Sequence, residues 1–369
     1  MKKHIPLLIV IFLAITSITR YEFRGFTDVW WHRWFFLCIF CTLIATYKVY
    51  KEYSLVPSLI FFHTVFSGLL IFSNYNNIHQ GLPHMHKIKF FSAYGTFTFV
   101  ILSIAFMNLK PYLHIIKRTF IVIMLVNIGY VLYRILSGQY PIGLWGEPSI
   151  NGSLIACILP LALYEMRHMK IFCMWLIAIT VLTLASTKAS VPVGALAVSL
   201  LSYLFLSLKN KKLKILIPLG VILVLFFVAS KKDKRLFDNS KRFTMYKLVY
   251  NIFNADFNKH KRYFGWGTGV TQPINKMIQE KNNFRPKAIQ MWTHNDWLQI
   301  LFENGFIGFI LALWLSLLLL WTCYRRKNYA LLSSSLTYMA SMVFSYHLHY
   351  PIHAFFGFYL VAEVFKNDN

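Results

Sequence analysis

Apolar residues fall in long blocks along almost the whole chain, at 5–19, 34–47, 55–73, 90–107, 119–136, 151–165, 171–187, 190–208, 214–230, 306–323, 329–346 and 352–365. Crossing a bilayer as a helix takes about 20 apolar residues, so the shorter blocks borrow flanking aromatics or lie partly within protein. The pattern predicts an all-α polytopic membrane protein of about twelve transmembrane helices. One long polar segment, 231–297, interrupts it between the predicted helices nine and ten. With no internal repeat and no Pro/Gly/Ser linker, residues 1–369 read as a single membrane domain with 231–297 inserted as a large loop. The block 329–346 carries Ser333, Ser334, Ser335 and Ser341, a small-residue face suited to close helix packing.

Composition supports the pattern. Of 369 residues, 57% are hydrophobic and only 14% charged, too few charges for a soluble domain to cover that much apolar surface. The net charge of +25 matters for orientation. With the N-terminus inside, the inner loops hold seventeen Lys and Arg against seven in the short outer loops and adjoining helix ends. The positive-inside rule then makes the N-terminus cytoplasmic and places 231–297 on the far side; a loop that long translocates regardless of its own charge. The first block follows Lys2-Lys3-His4, but Ile15 to Thr19 offers no small-residue cleavage site, so it reads as an uncleaved helix. The cysteines, Cys38, Cys41, Cys157, Cys173 and Cys323, all lie in apolar blocks, which gives no disulfide framework. No basic helix or aromatic-basic module stands outside the membrane blocks, which excludes a nucleic-acid partner.

Chemistry concentrates where the polar segment ends. His294-Asn295-Asp296 opens a stretch that runs through Glu303, Asn304, Gly305 and Gly308 into the tenth block. A histidine at a polar-to-apolar boundary is at home there for its amphipathic ring alone. Its neighbours Thr293, Asn295 and Asp296 are groups that orient an imidazole, and a neutral imidazole is a natural base for a hydroxyl proton. Thr293 or Asn295 is expected to cap a short helix running toward Glu303, with Gly305 as its stop. The segment 231–297 holds fourteen basic and five acidic residues. Most of these face water or anionic lipid. Arg242, heading an amphipathic stretch with Phe243, Tyr246, Val249, Tyr250 and Phe253 on one side, is placed to grip an anion with its guanidinium fork. Lys188, alone at an outer helix end, is a second candidate. Gly265-Trp266-Gly267-Thr268-Gly269 lacks a dinucleotide-binding context and reads as a tight turn that lets backbone approach another surface. The clusters His79/His84/His86 and His347/His349/His353 lack helical pairs with a carboxylate, so interfacial or substrate-lining roles are expected and no metal.

The spacing His294-Asn295-x9-Gly305-x-x-Gly308 resembles the signature of the O-antigen ligase and O-antigen polymerase superfamily of bacterial inner membranes. Three other stretches are similar to the family: Gly146 to Ala156, containing Asn151 and followed by Pro160; Ser186-Thr187-Lys188-Ala189; and Arg242-x3-Tyr246 with Tyr263 to Gly269. Two positions depart from it. Lys188 stands where the family usually has arginine, which turns a bidentate clamp into a point charge, and Ala189 replaces a glycine. The resemblance implies a GT-C-like, metal-independent, inverting glycosyltransferase without cofactor, acting on the periplasmic face of the inner membrane. Its donor would be a glycan on undecaprenyl diphosphate and its acceptor a lipid A–core sugar. His294 would deprotonate the acceptor hydroxyl, Arg242 and Lys188 would bind the diphosphate, and Asn295, Asn151, Gly305 and Gly308 would support the site.

O-antigen polymerase and protein O-oligosaccharyltransferase remain alternatives within this class. A lipid flippase or transporter is the alternative from another. It should show repeat halves and midplane ionisable residues, whereas Arg134, Glu165 and Lys188 fall at block ends, leaving His63 and Glu363 within blocks.

Overall fold

The computed structural model describes residues 112–144, 148–187, 189–207, 246, 250, 259–265, 295–345 and 351–365, which are helical or in turns and bends and include no strand. The helices are α1 (Leu113–Leu136), α2 (Pro148–Glu165), α3 (Lys170–Ser186), α4 (Ser190–Ser207), α5 (Lys259–Phe264), α6 (Asp296–Arg325), α7 (Tyr329–Met342) and α8 (Pro351–Phe365). Three of them, α1, α4 and α6, are long and apolar enough to cross a membrane. The predicted helices before residue 108, the one at 214–230, and most of 231–297 lie outside the described residues; so do Cys38, Cys41 and the His79/His84/His86 cluster. Two compact units divide the described helices. One holds α1 to α4, the end of α6 from Leu319, α7 and α8; the other holds α5 and α6 up to Leu318.

In the first unit α2 is the centre. Every residue from Ile150 to Leu163 is buried, as expected of a helix apolar all round, and it packs mainly on α4 and α7, which also pack on each other. Small residues let these three approach. A Cβ on Gly152 would run into the Pro192 ring and Leu184. The serine-rich helix closes in as its composition predicts: Ser333, Ser334, Ser335 and Ser341 are all buried. Across the α4–α7 contact, Ser333 Oγ donates to the Ser199 carbonyl at 2.9 Å and lies 2.6 Å from Ser202 Oγ. Hydroxyl pairs of this kind tie helices together where lipid gives no hydrophobic drive.

Aromatic rings join α1 and α8: Phe120 meets Phe356 edge-on at 5.0 Å and Tyr359 at 5.8 Å. His353 departs from the interfacial or substrate-lining role expected of its cluster. It is fully buried, with Nε2 3.0 Å from the Ile150 carbonyl, while the Tyr338 hydroxyl donates to the His353 carbonyl at 3.0 Å. An imidazole nitrogen that finds a backbone carbonyl inside a helix bundle can be buried there without a surface.

Charges gather at one end of this unit. Lys117 Nζ and Arg118 Nε lie 2.6 and 3.4 Å from the carboxylate of Glu165, which ends α2, and Arg167 and Lys170 follow in sequence. Arg326, just past α6, donates to the Val364 carbonyl near the end of α8 at 2.7 Å. Glu363 is next to that carbonyl, so it lies toward the end of its helix and away from midspan. Arg134, at the close of α1, is the described basic residue of this unit at the opposite end.

Candidate functional site

The boundary stretch folds as its capping signals predict. Asn295 Oδ1 accepts the Leu298 amide at 2.9 Å and its carbonyl accepts the Gln299 amide at 3.0 Å, an N-cap that satisfies the first turn. Asp296 follows in that turn, where the helix dipole favours a negative charge. The helix runs to Asn304 and breaks at Gly305, whose φ of 67° and ψ of −171° are not helical; helix then resumes toward Arg325. Trp297 and Phe309 meet edge-on at 6.1 Å across the break.

The break has a physical cause. Gly265, directly after α5, has φ 79°, a left-handed residue closing a helix. A Cβ on Gly265 would collide with the Glu303 carbonyl and the Asn304 amide, and a Cβ on Gly305 with the Tyr263 carbonyl and the Gly265 amide. Two stretches about forty residues apart in sequence therefore meet backbone to backbone, with glycine on both sides. Gly308, one turn beyond, is close to the Asn304 side chain. The sequence pattern of glycines is thus explained as a contact. The turn at Gly265 approaches another surface, and that surface is the interruption of α6.

The short helix before the break buries a polar face. Asp296, Gln299, Glu303 and Asn304 are all nearly inaccessible, and Gln299 Nε2 donates to Glu303 Oε1 at 2.9 Å. Gln299 and Glu303 were not among the residues expected to matter. Their signal was present: an amide and a carboxylate one turn apart, opening an otherwise apolar helix.

Asn151 sits on α2 in the first unit. Asn127 Nδ2 donates to Asn151 Oδ1 at 3.3 Å, and Asn127 Oδ1 accepts the Leu144 amide at 3.0 Å. Both asparagines are buried, and Gly143 lies against them without room for a Cβ. The pair holds the connection between α1 and α2 by its backbone. Asn127→Ala removes both bonds from a buried site and should cost about 1–3 kcal/mol. Thermal unfolding in detergent against wild type checks this, and an unchanged melting temperature would show that the pair does not matter.

Of the other expected site residues, Asn295, Gly305 and Gly308 all lie on or at the start of α6, whereas His294, Arg242 and Lys188 lie outside the described residues. Tyr246 and Tyr250, from the amphipathic stretch, are helical. What the described arrangement provides chemically is a capped helix start beside His294 in sequence, next to a segment rich in cations, with its far end pinned by backbone contact.

Residues 172–313 match the protein family described as O-Antigen ligase. No curated protein matches the chain. The family match bears out the resemblance to the O-antigen ligase and polymerase superfamily. It spans α3, α4, α5 and the first part of α6, and takes in Lys188, Arg242, His294, Asn295, Gly305 and Gly308; Asn151 lies before it.

Proposed function

We propose, from the O-antigen ligase family match over residues 172–313, that the chain transfers a glycan from undecaprenyl diphosphate to a sugar hydroxyl of lipid A–core on the periplasmic face of the bacterial inner membrane. The observation that carries this is the seating of Gly305 on Tyr263–Gly265, because it gives two of the family-like stretches a common structural purpose. Within the reading, His294 takes the proton of the acceptor hydroxyl. The freed oxygen attacks the anomeric carbon, the carbon–oxygen bond to the diphosphate breaks with inversion, and undecaprenyl diphosphate leaves with the electron pair. Arg242 and Lys188 bind that diphosphate. Cations at a water-poor boundary stabilise the charge that develops on it, which is where such a leaving group needs help.

Orientation has support from the charged end of the first unit. Lys117, Arg118, Arg167, Lys170 and the Arg325–Lys327 run are on the side that the positive-inside rule makes cytoplasmic. The terminal position of Glu363 also weakens the transporter alternative, which calls for ionisable groups at midspan.

Deleting the gene in its native host and running lipopolysaccharide on a gel tests the reading. The expected result is lipid A–core without O-antigen, with polymer retained on undecaprenyl diphosphate. Cores bearing a single repeat would assign polymerase activity instead, and unaltered lipopolysaccharide together with unaltered protein glycans would remove the whole class.

A further inference from the structure

We propose that Gly265 is a positioning residue for the transfer step, acting through His294; this rests on the function proposed above. Gly265 carries no side chain, so it can neither move a proton nor neutralise a phosphate. What it has is a place. Its left-handed turn puts the end of α5 against Glu303, Asn304 and Gly305 with no side chain between the two backbones. Other tight glycines of the fold differ in kind: at Gly152 the colliding atoms belong to the side chains of Pro192 and Leu184, and at Gly308 to that of Asn304. At Gly265 and Gly305 they are main chain on both sides, so a single added carbon must separate the two segments.

The segment that would be displaced is short and stiff. It begins at the Asn295 cap and ends at the Gly305 break, and its rotation is fixed by the buried face of Asp296, Gln299 and Glu303 and the Gln299–Glu303 bond. A helix transmits a shift at one end to the other with little loss. His294 is the residue before the cap in sequence, so displacing the cap displaces the chain that carries the proposed base. A misplacement of about 1 Å at reacting groups costs about 10²-fold in rate.

The test uses the full-length protein in proteoliposomes, with undecaprenyl-diphosphate-linked glycan as donor and lipid A–core as acceptor. Gly265→Ala should lower kcat about 10²-fold while the KM for donor changes by less than about two-fold. In a His294→Ala background it should add almost no further loss, because a residue acting only through His294 has nothing left to position. Gly265→Asn separates the two constraints on the site: asparagine tolerates the left-handed conformation yet brings a Cβ, so it should be as impaired as alanine. Gly129→Ala, on α1 with open space around it, should transfer like wild type. Near-normal kcat in Gly265→Ala, rescue by Gly265→Asn, or losses that multiply in the double variant would each overturn the proposal.

Cross-linking reads the contact without any transfer. In a background with the native cysteines replaced, the Tyr263→Cys/Phe306→Cys pair, at two exposed positions, should be joined by a short bis-maleimide, and adding Gly265→Ala should lower the yield. No cross-link in the parent pair overturns the contact whatever the activity. If the cross-link behaves as expected and wild type moves no glycan onto any acceptor, the proposed function falls and takes the positioning role with it, while the contact itself stands.

Discussion

Replacing His294 with alanine should lower glycan transfer by about 10²- to 10⁴-fold, the range a positioned general base contributes, and leave the amount of protein in the membrane and its melting temperature unchanged. The second half of that expectation follows from where the fold is held. The first unit is built on α2, α4 and α7, and the short helix of α6 is held by its own cap at Asn295, its buried polar face and the glycine contact. His294→Gln is the more searching variant, because a carboxamide keeps the hydrogen-bonding character of the ring and loses only the ability to accept and hold a proton at neutral pH. Both variants should fail alike when lipid-linked donor and lipid A–core are supplied in membranes. Transfer retained by either one would remove His294 as the base, and the assignment would have to move to another group of the loop.

The second large effect is on the fold. Gly152→Val should destabilise the protein by about 3 kcal/mol or more, at or beyond the top of the usual overpacking range. The new Cβ meets the Pro192 ring and comes within 3.1 Å of Leu184 Cδ2, and valine adds two methyls to that collision. Proline is stiff and stands in the first turn of α4, so the ring cannot swing aside; α2 must move. Because α2 is enclosed from Ile150 to Leu163, moving it loosens α4 and α7 together. Alanine at the same position should cost less, about 1–3 kcal/mol. The measurement is the melting temperature of purified protein in detergent together with its level in the membrane. A Gly152→Val protein that accumulates and melts like wild type would contradict the close approach of the two helices.

The hydrophobic blocks predicted the helices well where the description reaches. The blocks at 151–165, 171–187, 190–208 and 352–365 became α2, α3, α4 and α8 with ends within a few residues, because Pro148, Lys170, Ser190 and Pro351 mark starts that apolar composition alone leaves blurred. The block at 306–323 was legible as a helix, and the capped segment before it was legible from Asn295 and Gly305. What composition could not convey was that the two would join directly through a single non-helical residue. Nor could it convey why Gly265 matters: a left-handed turn is visible in a sequence as a permissive residue, but its partner forty positions away is not. His353 shows the limit from the other side. A histidine counted with His347 and His349 looks like part of an outer cluster, yet helical geometry turned it inward to the Ile150 carbonyl. The buried amide–carboxylate pair of Gln299 and Glu303 escaped for a related reason, since polar residues at the start of a membrane helix are ordinarily solvated.

The interruption at Gly305 has a further consequence in lengths. From Phe306 to Arg325 the second half of α6 has twenty residues, and at about 1.5 Å of rise each it extends about 30 Å, the thickness of the hydrocarbon layer. That half is long enough to span the bilayer by itself. The half before Gly305 adds no length that the hydrocarbon requires, and the backbone break is what lets it leave the axis of the longer half.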